Sequence, residues 1–481
     1  AAALARCGSP TALAVIRDAR DRGDQEQKKI AAWILGLLGG PEDVEPLRRN
    51  AAAEKDPLAR AYAIHALALL GDAEGRKGLG RNLRSGSAAI RTYAAEFAGY
   101  AGVREERARL IRLLDDSNVD VRVRAAQALG MLDQPPTKRD EVVVQDVFPP
   151  SPRQPRYSEG SLLALTDGTL LYATTEFLGG GEDHATAHIV ARRSADGGRT
   201  WGPPTELQAN TGRQNVMSVT LRRLLPGRAD GPIGMVYLVK NGPNDLHAFL
   251  RISQDEARRW GPAIRITGEA GYHVVNNDRL TVLQSGRLLC PVAASPDFQQ
   301  LNHFVSYCYL SDDRGQTWRR GKGSVDQPRR GAMEPEVVEL TGGRLLMICR
   351  TQLGIVAASY SQDGGDTWGT PFSLTVRAPE SPQTIRRIPA TGDLLLVWNN
   401  SFQGSADHGG QRTPLTVAVS SDEGRSWRRV RDLEVSQEHG YAYTSVTFVQ
   451  DRVLFTYYVH DVGTGRIGSR FRSVPVGWLY Q

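Results

Sequence analysis

A short box that repeats along the chain constrains the fold more than any other feature of the sequence. The segment RRSADGGRTW, which ends at Trp201, returns in related form four more times. The five copies begin at Ser194, Ser253, Ser311, Ser361 and Ser420. Their spacing is 59, 58, 50 and 59 residues. A unit of this length holds four antiparallel strands, the repeat of a β-propeller blade, so the spacing predicts a ring of such units.

The boxes have the composition of a structural turn. Glycine allows a left-handed backbone there, Asp and Ser side chains bind local backbone amides, and the Trp packs against the adjacent sheet. One copy, ISQDEARRW, replaces the glycine with Ala257 but keeps Asp255 and Trp260. A catalytic group is not needed in every unit of a ring. We therefore predict that the box aspartates are structural.

Between the boxes the hydrophobic pattern has a period of two, which is typical of strands. GSLLALTDGTLLYATTEF (160–177) and PEVVELTGGRLLMICRT (335–351) each contain a strand, a tight turn with glycine and a second strand. A sixth unit, without a box, covers residues 441–480. The early strand EVVVQDVF (141–148) would complete that unit and leave no open edge. These patterns predict a six-bladed β-propeller over residues 135–481.

Before this region the apolar residues have helical spacing. Asp-Pro at 56–57 and DDSNVDVR at 115–122 supply turns and caps between helices. Four segments, each typical of the second helix of a helix pair, recur along the chain: IAAWILGLLG (30–39), AYAIHALALLGD (61–72), IRTYAAEFAGYAG (90–102) and VRVRAAQALGMLD (121–133). The pattern resembles HEAT-like repeats, an α-solenoid whose units bury their faces against their neighbours.

The predicted fold class is therefore multidomain, α followed by all-β. A HEAT-like α-solenoid covers residues 1–134 and the propeller covers 135–481, with the boundary in LDQPPTKRDEVVV (132–144). The solenoid has no catalytic signature, so we expect it to act as a scaffold, to bind a protein partner or to self-associate.

Charge and hydropathy exclude several classes of protein. The net charge is +6, and residues 1–140 hold a surplus of four positive charges, which is too mild for a nucleic-acid-binding surface. No run of eighteen apolar residues is present, so we expect no membrane span. The sequence begins with Ala, consistent with a mature or trimmed form, so an export signal would not be visible. The compartment stays open, with an extracellular or periplasmic location favoured.

The cysteines do not indicate a metal site. Cys7, Cys290, Cys308 and Cys349 form no CxxC pair, which excludes a zinc ribbon. Cys290 and Cys308 could face each other on neighbouring strands, although buried thiols are the commoner outcome. His184 and His188 have a spacing that some metal sites use, but no third ligand is evident. We expect no metal and no cofactor.

Boxed six-bladed propellers with this order of strands resemble the sialidase (neuraminidase) superfamily, whose bacterial neuraminidase repeat is also called the Asp-box. The resemblance covers residues 141–481. It implies three arginines that hold the carboxylate of an acidic sugar. EPEVVELTGGRLLMICRT is similar to the central segment of the family, which implies a carboxylate at Glu334 and an arginine at Arg350. QRTPLTVAVSSDEGRSW is similar to the segment with the third arginine, which implies Arg412.

The first arginine departs from the family pattern. An Arg-Ile-Pro-Ser-like opening is expected in the first unit, but the sequence there is PRYSEGSLLAL, with Arg156 displaced upstream and Glu159 just before the strand. Arg279, in VVNNDRLTVL, begins a strand of the third unit and is the preferred substitute. Arg156 is the other candidate, and Asn277 is a further expected substrate contact.

The resemblance also implies the reacting groups. YTSVTF resembles the Tyr-Ser-x-Leu element of the family, which implies Tyr443 as nucleophile and Glu334 as its base. A neutral phenol is not repelled by the carboxylate of the sugar, but with a pKa of about 10 it needs a base. The acid/base carboxylate belongs in the loop GGGEDHATAHIVARRS (179–194), which implies Asp183, with His184 as a neighbouring substrate contact.

The residues by themselves leave simpler roles open. Arg350 and Arg412 could form ion pairs between blades. Glu334 could cap a turn, Tyr443 could pack within a strand, and Asp183 could be a turn residue.

Glu159 is harder to explain structurally, because a charge entering a central strand usually has a task. It could bind sugar hydroxyls, or it could replace an arginine because the substrate differs.

Three functions follow as hypotheses. The first is an exo-acting glycoside hydrolase, an exo-α-sialidase that releases terminal sialic acid from a glycan with retention of configuration. The second keeps the fold but acts, as a glycosidase or lyase, on another glycan that contains a uronic acid; the missing Arg-Ile-Pro and the presence of Glu159 favour it. The third is a non-catalytic carbohydrate-binding propeller with the solenoid as its docking arm.

Overall fold

A computed structural model of the protein describes residues 10–133, 142–404 and 407–480. Within them, residues 10–133 form one compact unit and residues 142–480 form a second. Cys7 and the predicted boundary between residues 134 and 135 lie outside the described residues.

The first unit is helical. Its helices are α1 (Pro10–Arg22), α2 (Gln25–Leu38), α3 (Val44–Ala53), α4 (Pro57–Leu69), α5 (Ala73–Asn82), α6 (Ala88–Tyr100), α7 (Arg107–Arg112) and α8 (Val119–Asp133), with short 3₁₀ turns at Pro41–Asp43, Arg104–Glu106 and Leu113–Asp115. The four periodic segments of the sequence lie in α2, α4, α6 and α8, as predicted.

The predicted caps are present. Pro57 opens α4, and the Asp56 carboxylate accepts a hydrogen bond from the amide of Ala59 at 2.7 Å. Before α8, the side chain of Asn118 accepts from the amide of Val121 at 3.2 Å. Each bond satisfies a backbone donor that the first turn of a helix leaves unpaired.

The helices that hold the four periodic segments stack in chain order: α2 contacts α4, α4 contacts α6, and α6 contacts α8. Small residues allow close approach at these contacts. A Cβ on Gly36 would lie 3.0 Å from the Cα of Ala66, and one on Gly99 would lie 3.0 Å from the Cα of Ala128. No helix among the described residues is long and apolar enough to cross a membrane.

The second unit is built from strands, with one short helix between β12 and β13. The strands are β1 (Val143–Phe148), β2 (Arg156–Ala164), β3 (Leu170–Phe177), β4 (Ala187–Ser194), β5 (Thr205–Gln208), β6 (Asn215–Arg223), β7 (Ile233–Gly242), β8 (Asp245–Ser253), β9 (Ile264–Arg265), β10 (Gly271–Val274), β11 (Thr281–Val282) and β12 (Leu288–Ser295). They continue, after α9 (Phe298–Leu301), with β13 (Val305–Ser311), β14 (Arg319–Arg320), β15 (Met333–Glu339), β16 (Leu345–Arg350), β17 (Ile355–Ser361), β18 (Phe372–Arg377), β19 (Thr384–Arg387), β20 (Leu394–Asn399), β21 (Leu415–Ser420), β22 (Arg428–Glu434), β23 (His439–Val449), β24 (Arg452–Asp461) and β25 (Ile467–Pro475). Short 3₁₀ turns lie at Thr341–Gly343, Asp407–Gly409 and Val476–Tyr480.

The strands form four hydrogen-bonded sheets. One runs β23-β24-β25-β2-β3-β4-β5, with β1 beside β25, and another runs β14-β13-β12-β10-β8-β7-β6, with β11 beside β12 and β9 beside β8. The other two are β15-β16-β17-β18 and β19-β20-β21-β22. The antiparallel pairing of β1 with β25, which places Val143 opposite Ser473, confirms the partner predicted for the early strand.

The boxes form the turns that were predicted. Each begins at the last residue of a strand, at the ends of β4, β8, β13, β17 and β21. In the first box the Asp196 carboxylate accepts from the amide of Thr200 at 3.0 Å and from its hydroxyl at 2.6 Å, and Ser194 accepts from the amide of Gly198 at 2.9 Å. In the divergent copy the amide of Arg259 donates to Asp255 at 2.9 Å. These contacts confirm that the box aspartates hold the turn.

The three described cysteines are buried free thiols. Cys290 and Cys308 do lie on the neighbouring strands β12 and β13, but Cys290 is opposite Tyr309 and Cys308 is opposite Pro291. Because adjacent residues of a strand point to opposite faces, this register directs the two thiols to different sides of the sheet.

Candidate active site

A cavity of about 340 Å³ in the second unit gathers most of the predicted site residues. Its polar lining consists of Glu159, Asp183, Ser218, Asn276, Arg330, Glu334, Arg350, His408, Arg412 and Tyr443. The box aspartates do not line it. Among the described residues, no group of three or more His, Cys, Asp and Glu side chains is arranged to hold a metal ion.

Four of the lining residues share an unusual backbone conformation. Glu159, Ser218, Glu334 and Tyr443 have φ angles of 59°, 57°, 45° and 57°. Each lies where the strand register shifts, in β2, β6, β15 and β23 respectively. Non-glycine residues rarely adopt positive φ, and a β-bulge changes the direction of a side chain. The strands therefore accept a conformational cost that brings these four side chains to one cavity.

Tyr443 and Glu334 are in contact. The Tyr443 hydroxyl lies 3.3 Å from Oε1 of Glu334, and Oε2 of Glu334 accepts from Nη1 of Arg350 at 2.9 Å. Burial, with the Glu334 carboxylate beside it, raises the pKa of Tyr443 above its usual value. The phenol is therefore neutral at physiological pH, next to a carboxylate that can accept its proton.

Arg412 covers the other side of this phenol. Its guanidinium carbon lies 5.5 Å from the ring centroid of Tyr443, and its Nη1 donates to the hydroxyl of Tyr458 at 2.6 Å. Desolvation lowers the pKa of Arg412, but the two tyrosine hydroxyls outweigh it, so the pKa lies above its usual value. Within the described residues Arg412 has no carboxylate partner, so its charge is available to an anionic ligand.

Arg350 and Arg330, the third arginine of the cavity, share one counterion, Glu380. The sequence analysis did not predict this residue. Glu380 is buried and lies 3.3 Å from Nη2 of Arg350 and 3.0 Å from Nδ1 of His408. It also accepts from Arg330 and, at 3.0 Å, from Gln352. The available signal was a Glu a few residues before the strand β19, in a stretch that is otherwise uncharged.

Arg156, which does not line the cavity, joins two carboxylates that do. Its Nη1 donates to Asp183 at 2.6 Å, its Nη2 to Glu159 at 3.3 Å and its Nε to the hydroxyl of Ser158 at 2.8 Å. The hydroxyl of Ser218 donates to the other oxygen of Glu159 at 3.2 Å. All three guanidinium nitrogens of Arg156 thus bind neighbouring groups of the protein.

These two carboxylates differ in their protonation. Burial raises the pKa of Glu159 to about 7, against the opposing charge of Arg156. Desolvation also raises the pKa of Asp183, but the charge and hydrogen bond of Arg156 outweigh it, so that this pKa lies below its usual value. Near neutral pH, Asp183 is ionised while Glu159 holds a proton for part of the time.

Besides Arg156, three further predicted substrate contacts do not line the cavity. The prediction for Arg279 is wrong, because its side chain is 1% exposed and donates to Glu336 and to the carbonyl of Gln383. Asn277 is fully buried and donates to the carbonyls of Gly160, at 2.6 Å, and Tyr443, at 3.0 Å, so it positions the backbone instead of binding substrate. His184 is exposed and does not line the cavity.

One wall of the cavity is apolar, which the sequence analysis did not foresee. It contains Met217, Tyr272, Phe298, Phe304 and Met333. Several of these side chains belong to a hydrophobic cluster shared by β6, β10 and β15. The arrangement as a whole can bind an anion through arginines, present a phenol with a neighbouring base, and hold the rest of a ligand against an apolar surface.

Comparisons with known proteins agree with this fold. The family described as the BNR repeat-like domain matches residues 168–456. Among curated proteins, a sialidase of Micromonospora viridifaciens is 26% identical over 362 residues, which cover 68% of this chain and 52% of that protein. A sialidase of Paraclostridium sordellii is 27% identical over 234 residues, 43% of this chain and 56% of that protein. The chain thus spans about half the length of the curated relatives it matches.

Solved structures share the fold at low identity. A Dyadobacter fermentans protein of unknown function has a TM-score of 0.56 at 18% identity, over 69% of this chain and 98% of that one. Trypanosoma rangeli sialidase has a TM-score of 0.56 at 16% identity, over 70% of this chain and 60% of that one. Because the family match covers more than half of the sequence, this chain belongs to the BNR repeat-like domain family.

Proposed function

We propose that the protein is a sialidase-type glycoside hydrolase, an exo-α-sialidase that releases a terminal acidic sugar, sialic acid, from glycans with retention of configuration. The observation that carries the proposal is the contact of Tyr443 with Glu334 in the same cavity as Arg350 and Arg412. The two curated relatives are both named sialidases, which supports it.

In the first step, the Tyr443 oxygen attacks the anomeric carbon while Glu334 accepts its proton. The raised pKa of Tyr443 makes this base necessary, because the free phenol is a weak nucleophile. Arg412 lies over the phenol ring, and the charges of Arg412 and Arg350 both favour the ionised phenol, so they stabilise the negative charge that develops on the Tyr443 oxygen as the proton leaves.

Asp183, as the acid/base carboxylate, assists proton delivery to the departing glycosidic oxygen and then activates the water that hydrolyses the glycosyl-enzyme. Two displacements at the same carbon give net retention. Asp183 is suited to this role by its position at the cavity on the loop before β4.

The carboxylate of the sugar binds between Arg412 and Arg350. Arg412 is the principal contact, since Arg350 already pairs with Glu334 and Glu380. Arg156 takes the place that Arg279 was expected to have, but it acts through Glu159 and Asp183.

For the architecture we propose six blades. The four sheets divide into six groups of antiparallel strands, β2–β5, β6–β9, β10–β14, β15–β18, β19–β22 and β23–β25 with β1. Edge pairs link neighbouring groups, as between Arg156 and Ile467. The stacked helix pairs of the first unit are consistent with a HEAT-like solenoid, which we propose as a scaffold or as a surface for a partner.

A second candidate keeps the fold but changes the sugar. The contact of Arg156 with Glu159 removes one cation from the carboxylate site, which favours a substrate such as a uronic acid glycan, cleaved by hydrolysis or elimination. The Tyr443–Glu334 contact weighs against a purely carbohydrate-binding role.

The test is turnover of an aryl α-sialoside and an aryl β-glucuronide by the full chain and by Tyr443→Phe. We expect the sialoside to be cleaved and kcat to fall by about 10³-fold or more in the variant, with retention followed by NMR of the first-formed sugar. Tyr441→Phe, a buried tyrosine on the same strand that does not line the cavity, is the matched control. Equal rates for Tyr443→Phe and the parent would contradict the mechanism, and cleavage of the glucuronide alone would select the second candidate.

A further inference from the structure

Glu159 has no role in the steps described above, yet its position is that of a reacting group. It lines the cavity, its side chain is 6% exposed, and it has the same bulge conformation as Glu334 and Tyr443. Asn277 binds the carbonyls of Gly160 and Tyr443 together, so the backbone beside Glu159 is held next to the backbone of the nucleophile.

Glu159 and Asp183 also form a pair. Each accepts from a different nitrogen of the same Arg156 guanidinium, which brings the two carboxyl groups to one end of the cavity. One guanidinium neutralises one carboxylate. A single proton on the pair therefore makes the group of three neutral, and its absence leaves a negative charge in the cavity that binds an acidic sugar.

From this geometry we propose that Glu159 is an acid–base residue of the site, which holds the catalytic proton in the resting protein and shares with Asp183 its delivery to the leaving oxygen. The proposal rests on the proposed function and extends it. The short bond from Arg156 to Asp183 and the longer one to Glu159 place the ionic charge on Asp183. The direction of the two pKa shifts agrees with this placement.

The proton balance is as follows. In the first step the carboxyl group of Glu159 gives its proton to the glycosidic oxygen as the bond to the anomeric carbon breaks, while the Tyr443 proton passes to Glu334. In the second step a water oxygen bonds to the anomeric carbon as the bond between that carbon and the Tyr443 oxygen breaks. One proton of the water goes to the Glu159–Asp183 pair, and Glu334 returns its proton to the freed Tyr443 oxygen. The carboxyl groups of Glu159, Asp183 and Glu334 all end in their starting protonation states.

Several elements contribute charge around Glu159. Asp183 and Glu334 favour its protonated form, whereas Arg156 favours the ionised form. A bound sugar carboxylate adds negative charge, so it favours the proton further. The groups that face Glu159 are Arg156 on β2, Asp183 on the loop before β4, Lys240 on β7, Tyr272 on β10, Glu334 on β15 and Tyr443 on β23.

The experiment compares leaving groups. The full chain, Glu159→Gln and Asp183→Asn are assayed with 4-methylumbelliferyl α-sialoside, whose leaving group needs little protonation, and with sialyllactose, whose leaving group needs a proton. We expect Glu159→Gln to lower kcat/KM for sialyllactose by about 10²-fold or more, and for the aryl sialoside by less than about 10-fold. The readout is the ratio of kcat/KM for the two substrates, measured on one preparation of each variant. Partial unfolding lowers both constants equally and leaves this ratio unchanged.

The pH profile gives a second readout. In the parent, kcat/KM should fall as the pH rises through about 7, the pKa of Glu159 in the free protein, and kcat should fall at a higher pH because the bound carboxylate favours the proton. Glu159→Gln should lack both the fall of kcat/KM near pH 7 and the fall of kcat at higher pH. Glu176→Gln is the matched control, because Glu176 is a largely buried carboxylate on β3 that binds Tyr157 and does not line the cavity.

Two results would overturn the inference while leaving the proposed function intact. One is an equal decrease of kcat/KM for sialyllactose and for the aryl sialoside in Glu159→Gln. The other is a leaving-group dependence that appears in Asp183→Asn alone, which would make Asp183 the sole acid. If the parent cleaves neither sialoside, the proposed function fails, and the inference fails with it.

Discussion

The hydroxyl of Tyr443 lies 3.3 Å from Oε1 of Glu334 in the cavity that both residues line, and both residues have positive φ. β23 and β15, which carry them, belong to different sheets. The contact therefore depends on the tertiary arrangement of the second unit, and it fixes the direction of proton transfer from phenol to carboxylate.

Glu334→Gln should lower kcat by about 10² to 10⁴-fold, because an amide cannot accept the phenol proton. KM should change much less, since Arg350 keeps its contact with Glu380. Steady-state kinetics with an aryl sialoside measure both constants. Glu339→Gln, on the same strand but away from the cavity, is the control, and a loss confined to KM in Glu334→Gln would refute the base assignment.

Arg412→Lys should raise KM for an acidic sugar by about 10- to 100-fold, because an ammonium replaces the planar fork of donors on a carboxylate. The pKa of Tyr443 should remain raised. Titration with free sialic acid gives the affinity directly. Arg428→Lys, exposed on β22, should bind like the parent, and unchanged affinity in Arg412→Lys would exclude Arg412 as the carboxylate contact.

Several site residues could be predicted from the sequence because their roles depend on local segments. Tyr443, Glu334, Arg350 and Arg412 each lie in a short stretch that resembles a known motif, and all four line one cavity. The box turns followed from residue type in the same way, since their hydrogen bonds are local.

The errors came from the segment between β10 and β11, whose backbone conformation the sequence does not specify. Asn277 was predicted to contact substrate, but its neighbour Asn276 lines the cavity instead. Arg279 follows Asp278, whose φ is 60°, in the turn between β10 and β11, and its guanidinium is directed to the buried Glu336. A positive φ at a non-glycine residue changes the direction of the chain, and composition does not reveal where one occurs. Glu380 was missed because its partners, Arg330 and His408, come from separate loops.

The buried Arg279 should contribute to stability and not to binding. Arg279→Met would leave Glu336 without one partner in a fully buried environment, and we expect a loss of about 3 kcal/mol or more in the free energy of unfolding. Denaturant titration measures this, and KM of the folded protein should not change. Arg287→Met, which removes a partly exposed ion pair with Asp312, should cost less than about 1 kcal/mol. Equal costs for both variants would contradict this account.

His188 should make stability depend on pH. Its ring nitrogens lie 2.6 Å from Glu176 and 2.7 Å from Glu206. Burial lowers the pKa of His188, but the two carboxylates outweigh it and raise that pKa above the usual 6.5. The folded-state pKa therefore exceeds the unfolded one, so this stabilisation is fully present below the unfolded pKa and is lost as the pH rises through the folded value.

His188→Gln should accordingly cost more stability at about pH 6 than at about pH 9. Thermal unfolding of the variant and the parent across this range measures the difference. His184→Gln, which replaces an exposed histidine outside the cavity, is the control. A constant difference between His188→Gln and the parent at all pH values would rule out the ion pairs as its source.

The pairing of β1 with β25 joins parts of the chain that are far apart in sequence. Nε of Arg470 donates to Asp146 at 2.7 Å across 324 residues. During translation, β1 leaves the ribosome long before its partner has been made, and it must remain unpaired until the last strand emerges. This sheet is thus completed only after the strands between β1 and β25 have been synthesised. A nascent chain that stops short of β25 would expose β1 and β24 as open edges, which are liable to aggregate.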